Sequence, residues 1–225
     1  MKKILLNIAV MILPVLAVSS CVSSVDDVFD KSATERVEER IEEIKAELVS
    51  SENGWALPYF FLPGQFGGYS FVFKFYQDGT VDICVEESFS GDITFVTNSD
   101  YSVKWAEGPE IVFETYTDLL HFFADPQDDG QGYLGDFEFK VMELEAGKLK
   151  LKGVRHGIYQ HMVKLTGTMD SDEYLTGVAN IQDKLADFDI PALDVKGTVI
   201  ALSSSGDGRV MSFSVKDGSA SKDYQ

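Results

Sequence analysis

Cysteine is nearly missing from this chain: there are two in 225 residues, at positions 21 and 84. If either is used elsewhere, no intramolecular disulfide can form, and the core must be held by packing alone. Basic residues are also short, 19 Lys and Arg against 37 Asp and Glu, for a net charge of −18. A field of that sign repels phosphate backbones, which excludes nucleic acid as a partner. No G-x-S-x-G, H-E-x-x-H or glycine-rich phosphate loop occurs, and three histidines leave little for a zinc site. No internal repeat is present, and the one long apolar run, Ile4 to Val18, is too short to span a bilayer comfortably. What is plentiful is aromatic residues, with 16 Phe and 9 Tyr, and 19 Gly, a mixture that favours strands joined by tight turns.

The first residues read as an address. Lys2 and Lys3 precede the apolar run, and "VSSC" closes it with Val18, Ser19 and Ser20 directly ahead of Cys21. That ending resembles the bacterial lipobox, where cleavage before the cysteine is followed by acylation of its thiol. Residues 1–20 are thus expected to be a lipoprotein signal peptide, and Cys21 the lipidated first residue of the mature protein. Each acyl methylene buried in a membrane contributes about 0.8 kcal/mol. Residues 21–29 form a polar tether in which Asp26 and Asp27 resemble the export signal of Bacteroidetes lipoproteins carried to the outer face of the outer membrane.

Residues 30–166 read as a helix followed by an antiparallel β domain. "SATE" at 32–35 has the form of a capping box, Val37, Ile41, Ile44 and Leu48 share one helical face, and Asn53 and Gly54 supply a stop. The segment 67–88 is the clearest hairpin: Phe71, Phe73 and Phe75 share a face, "QDGT" turns, and Val81, Ile83 and Val85 return. Cys84, on the opposite face, reads as a small strand filler, because its acidic neighbours would raise a thiol pKa. Separate strands are expected at "DITFVTN" and "DYSVKW", another at "EIVFE", and three more between 137 and 166 with turns at Gly147 and Gly157. Connections this short make neighbours antiparallel. Residues 167–225 change character, with a helix from Ser171 that carries Tyr174, Val178, Ile181 and Leu185, then a hairpin turning at "SGDGR" and a frayed "SASKDYQ". The expected class is α+β, mainly an antiparallel meander of about eight strands with an N-terminal amphipathic helix, a second helix and a C-terminal hairpin. Alternation leaves open whether the meander stays an open sheet or closes as a barrel.

Four blocks in order carry a resemblance: "FDKSATERVEERIEEIKAELVSSENGWALPYF" from Phe29, "GGYSFVFKFYQDGTV" from Gly67, "ETYTDLLHFFADP" from Glu114 and "GYLGDFEFKVMEL" from Gly132. The chain resembles the Bacteroidetes lipoproteins catalogued as the domain of unknown function 4302 family, best over residues 29–165. The resemblance implies an outer-membrane, surface-exposed lipoprotein, often encoded beside starch-utilisation-type uptake systems, with no known activity. It also implies longer relatives, so that 167–225 is read as a truncated segment.

Two constellations stand out. "DPQDDGQGYLGD" sets Asp125, Gln127, Asp129 and Asp136 at positions one, three, five and twelve of a calcium-loop spacing, with Gly130 at six. It reads either as a calcium site or as an acidic surface loop; no other cofactor is expected. The second is aromatic: Trp55 and Trp105 are candidates to stack on a ligand, and the alternative is that such residues fill an antiparallel core. His121, His156 and His161 lack a ligand spacing and read as turn and strand residues. The expectation is a non-catalytic accessory binding protein, held to a membrane by its lipid, that engages a glycan, a peptide or an uptake transporter. The alternatives are a structural or interaction lipoprotein of the envelope and, behind it, a hydrolase.

Overall fold

The computed structural model describes residues 30–61, 67–86, 92–126, 130, 132–186, 192–204, 209, 211–217 and 220–224. The expected signal peptide, Cys21 and the tether lie outside the described residues. By compactness the chain falls into two units, Met1–Glu38 and Glu39–Gln225. The first contains the start of helix α1 (Ala33–Val49). Its cap is reciprocal: the Glu35 amide donates to Ser32 Oγ at 3.2 Å, and the Ser32 amide donates to Glu35 Oε2 at 2.8 Å. These bonds satisfy two orphan donors of the first turn and hold the Glu35 carboxyl below its usual pKa.

In the second unit, eight antiparallel strands form a closed barrel in sequence order: β1 (Trp55–Phe60), β2 (Gly68–Phe75), β3 (Thr80–Val85), β4 (Thr94–Trp105), β5 (Pro109–Phe113), β6 (Glu138–Glu145), β7 (Lys148–Gly153) and β8 (Tyr159–Lys164). The protein is mainly β, and the open-sheet alternative falls away. A barrel of eight strands is just wide enough for side chains to fill, and here they do. Phe71, Phe73, Phe75, Val81, Ile83 and Val85 all point inward and are buried, as their alternation requires. Around them pack Tyr59, Phe139, Ile111 and Leu151. Ile44 and Leu48 of α1 join this core beside Trp55, the first residue of β1. At the other end of β1, a 3-10 turn (His121–Phe123) brings in Phe123, whose ring stacks on Phe61 with centroids 4.5 Å apart.

Eight strands are also expected from the sequence before residue 167, but the set differs. "DITFVTN" and "DYSVKW" are one strand, β4, which bends at Asn98 (φ 54°) where its register with β3 shifts. Asparagine tolerates that left-handed conformation, so a bulge within one strand stands where two separate strands were expected. The additional strand is β1, "WALPYF", whose proline and unbroken apolar run conceal it. Pro58 lacks an amide, and the ladder between β1 and β8 reaches only Trp55–Lys164 and Ala56–Val163. Beyond the proline, Gln160 closes the seam with its side chain: the Phe60 amide donates to Oε1 at 3.0 Å, and Nε2 donates to the Phe60 carbonyl at 2.6 Å. One side-chain amide thus performs the paired exchange that backbone would make in a full ladder.

Helix α2 (Ser171–Ala186) lies against the outside of the barrel, where Leu175 packs on Ala56, Val72 and Cys84. Among the described side chains of α2, Leu175 is buried, whereas Ile181, expected on one face with Tyr174 and Val178, is exposed; the Leu185 side chain lies outside the described residues. Four further strands, β9 (Ala192–Val195), β10 (Thr198–Ser204), β11 (Met211–Asp217) and β12 (Ala220–Tyr224), form a separate antiparallel sheet. The expected hairpin is its centre, and the tail expected to fray is its fourth strand, paired to β11 from Phe213–Tyr224 to Asp217–Ala220.

Candidate functional site

The aromatic candidates separate. Trp55 is 0% exposed and donates its indole N–H to the Leu48 carbonyl at 2.8 Å, satisfying a carbonyl at the end of α1. It is a core residue, and the expectation that it stacks on a ligand is corrected. Trp105 is 45% exposed at the end of β4, opposite Pro109, on the strand face that carries Tyr101 and Val103 further in. The structure therefore does not bring the two tryptophans together.

The calcium-spaced loop is only partly described: Gln127 and Asp129 lie outside the described residues. Asp125 accepts the Tyr116 hydroxyl at 2.6 Å. Asp136 is buried, and its carboxylate accepts the Arg155 amide at 2.7 Å and the His156 amide at 3.2 Å. Gly153 makes this possible, since any Cβ there would run into that carboxylate. The Asp136 main chain is tied to the Tyr59 hydroxyl, which donates to its carbonyl at 2.8 Å and accepts from its amide. Burial raises the Asp136 pKa against the pull of the two amides, and burial also drives the Tyr59 hydroxyl upward. Asp136 thus pins the β5–β6 connection to the β7–β8 turn. Among the described residues, no group of three or more His, Cys, Asp and Glu side chains is placed to hold a metal ion.

The histidines are apart. His121 is buried between Tyr116 and Phe137, its Nδ1 accepts the Thr117 amide at 3.1 Å, and burial lowers its pKa. His161 is exposed on β8. It belongs to a surface where basic side chains gather. Six of the 19 basic residues fall between 140 and 164, against only Glu143 and Glu145. On β7, "KLKLK" alternates, so Leu149 and Leu151 enter the core while Lys148, Lys150 and Lys152 line the outside. The register sets Lys148 opposite Val163, Lys150 opposite His161 and Lys152 opposite Tyr159.

Tyr159 is 50% exposed, and the ammonium groups of Lys150 and Lys152 stand 5.6 and 5.3 Å from its ring centre. Lys150 also pairs with Glu143 at 2.7 Å, which raises its pKa. Lys148 and Lys152 make no ion pair with a described residue. Lys148, Lys150, His161, Val163 and Glu145 line an open cleft of about 230 Å³. An outward row of cations beside an exposed ring can hold an anionic, partly apolar ligand laid along the strands. The alternation in "KLKLK" signals this row in the sequence, where an acidic total charge hides it.

Among known proteins, a family described as a domain of unknown function, DUF4302, matches residues 25–225. The chain belongs to the DUF4302 family. That description carries no activity to transfer. No curated protein and no solved structure matches it. Among the described residues of this DUF4302 chain, no helix is long and apolar enough to cross a membrane.

Proposed function

We propose that this DUF4302 protein is a lipid-anchored, non-catalytic binding protein on the outer face of the outer membrane, accessory to nutrient uptake. In this reading it holds an acidic glycan across β7 and β8. The lipobox-like "VSSC" supports the anchor through Cys21. One observation carries the binding reading: the barrel interior is filled by its own aromatic and aliphatic side chains, while Lys148, Lys150 and Lys152 stand outside beside Tyr159. A filled barrel is a scaffold, and recognition falls to its surface. Three charges at alternate positions of one strand span roughly 14 Å, a spacing suited to an extended chain bearing carboxylates. Tyr159 adds a ring on which a sugar face can rest.

The test is calorimetry of the protein with polygalacturonate, neutral dextran and a single-stranded oligonucleotide of matched charge. Polygalacturonate is expected to bind, and Lys148→Ser with Lys152→Ser to weaken it about tenfold, since each exposed cation contributes up to about 1 kcal/mol. Equal binding of the oligonucleotide, or an unchanged affinity in the double variant, would overturn the glycan reading. A silent acidic-glycan series combined with specific co-purification of envelope proteins would favour the structural lipoprotein instead.

A further inference from the structure

Away from the lysine row, a second site is built at the mouth of the barrel that Phe61 and Phe123 fill. Glu86 follows β3 directly, bonds its amide to the Ser70 carbonyl at 3.1 Å and is 1% exposed. A carboxylate this deep requires a cation. Arg209, just ahead of β11, supplies it: its guanidinium pairs with Glu86 at 2.6 Å, donates to the Gly68 carbonyl and stands over the Tyr69 ring, 3.6 Å from its centre. Gln182 of α2 donates to the other Glu86 oxygen at 3.3 Å. Gly67 leaves the space through which Arg209 approaches; a Cβ there would meet the Arg209 Cβ and carbonyl.

The parts of this site select for shape as well as charge. A carboxylate on one guanidinium nitrogen, a carbonyl on another and an aromatic ring below suit a planar, forked cation and suit a tetrahedral ammonium poorly. The walls, Gly68, Tyr69 and Glu86, all belong to the barrel, whereas the occupant comes from beside a sheet that shares no ladder with it. Tyr69 in turn packs against Phe123 at 4.9 Å and Phe61 at 5.9 Å, so the ring is held in place by the core and does not depend on Arg209 for its position.

We infer that the barrel mouth is a preformed guanidinium receptor, filled in cis by Arg209 and able to accept an arginine side chain presented by a partner polypeptide. A group supplied by the same chain acts at an effective concentration of about millimolar or more, so free arginine does not displace it from the native protein. An arriving arginine must bring further contacts, and Glu86 keeps a cation throughout the exchange.

The experiment uses the full chain with Arg209→Ala, whose melting temperature is expected to fall by roughly 10 °C. Millimolar guanidinium or arginine amide should restore it saturably, whereas sodium chloride, urea and lysine amide at equal concentration should not. The same variant should bind a short arginine peptide at least about tenfold more tightly than its citrulline analogue. The double variant Glu86→Gln with Arg209→Ala should respond to neither. Absence of a saturable, Glu86-dependent response in folded Arg209→Ala overturns the proposal. If that variant fails to fold alone, refolding with arginine amide against lysine amide decides: recovery with the former alone supports the receptor, and recovery with neither or both overturns it.

Discussion

Asp136 is a carboxyl held out of water yet bonded by two main-chain amides, and the two influences pull its proton affinity in opposite directions. Burial is the larger, so folding raises the Asp136 pKa above its unfolded value. Stability from this group is therefore full below about pH 4, the value of an unfolded aspartate, and is lost as pH rises through the raised folded pKa. His121 acts in the reverse sense: burial lowers its pKa, so its contribution is present above about pH 6.5 and is lost as pH falls through the lower folded value. Asp136→Asn keeps an oxygen for the Arg155 and His156 amides and removes the titration. Urea midpoints from pH 4 to 8 should show this variant gaining on the native protein as pH rises. Asp136→Ala, which orphans two amides, should lie below Asp136→Asn by about 2 kcal/mol throughout. A pH-independent gap between native protein and Asp136→Asn would contradict the burial argument.

At the scale of elements, α2 is a cover. Leu175 seals Cys84 against the outer face of β3, and burial, with Asp172 nearby, pushes the thiol pKa up to about 12. Leu175→Ala should destabilise this packing by about 2 kcal/mol and raise the rate of Cys84 alkylation by maleimide about thirtyfold, read by intact mass. An unchanged rate would mean that the thiol is reached by another route. The elements differ in how plainly residues announce them. The β2–β3 hairpin is legible because Phe71, Phe73 and Phe75 alternate with polar positions around a tight turn, and α1 because its cap is local. β1 is hidden, since Pro58 and an unbroken apolar run mimic a loop. The residues that fasten the molecule are less legible still: Asp136, Gln160 and Arg209 each meet partners 77, 100 and 141 positions away. Periodicity reports which face a residue occupies, but not which distant atom awaits it. Trp55 shows the same limit, because an aromatic after a helix reads alike whether it caps a core or faces water.

At the scale of the whole molecule, a basic row on an acidic body makes the effect of salt depend on distance. At about 10 mM salt the screening length is roughly 30 Å, and an approaching polyanion meets the net charge; near 0.15 M it falls to about 8 Å, and the lysine row dominates. Affinity for polygalacturonate is therefore expected to pass through a maximum near physiological salt, measured by calorimetry across 10 mM to 1 M. A steady decline from the lowest salt would show that the row never feels the remaining charge. The seam between the first and last barrel strands has a consequence in time. Trp55 cannot meet Lys164 until the chain as far as Lys164 has emerged, and a chain emerges N-terminus first. For that interval the earliest strand waits as an unpaired edge, and the cylinder is sealed from its newest end.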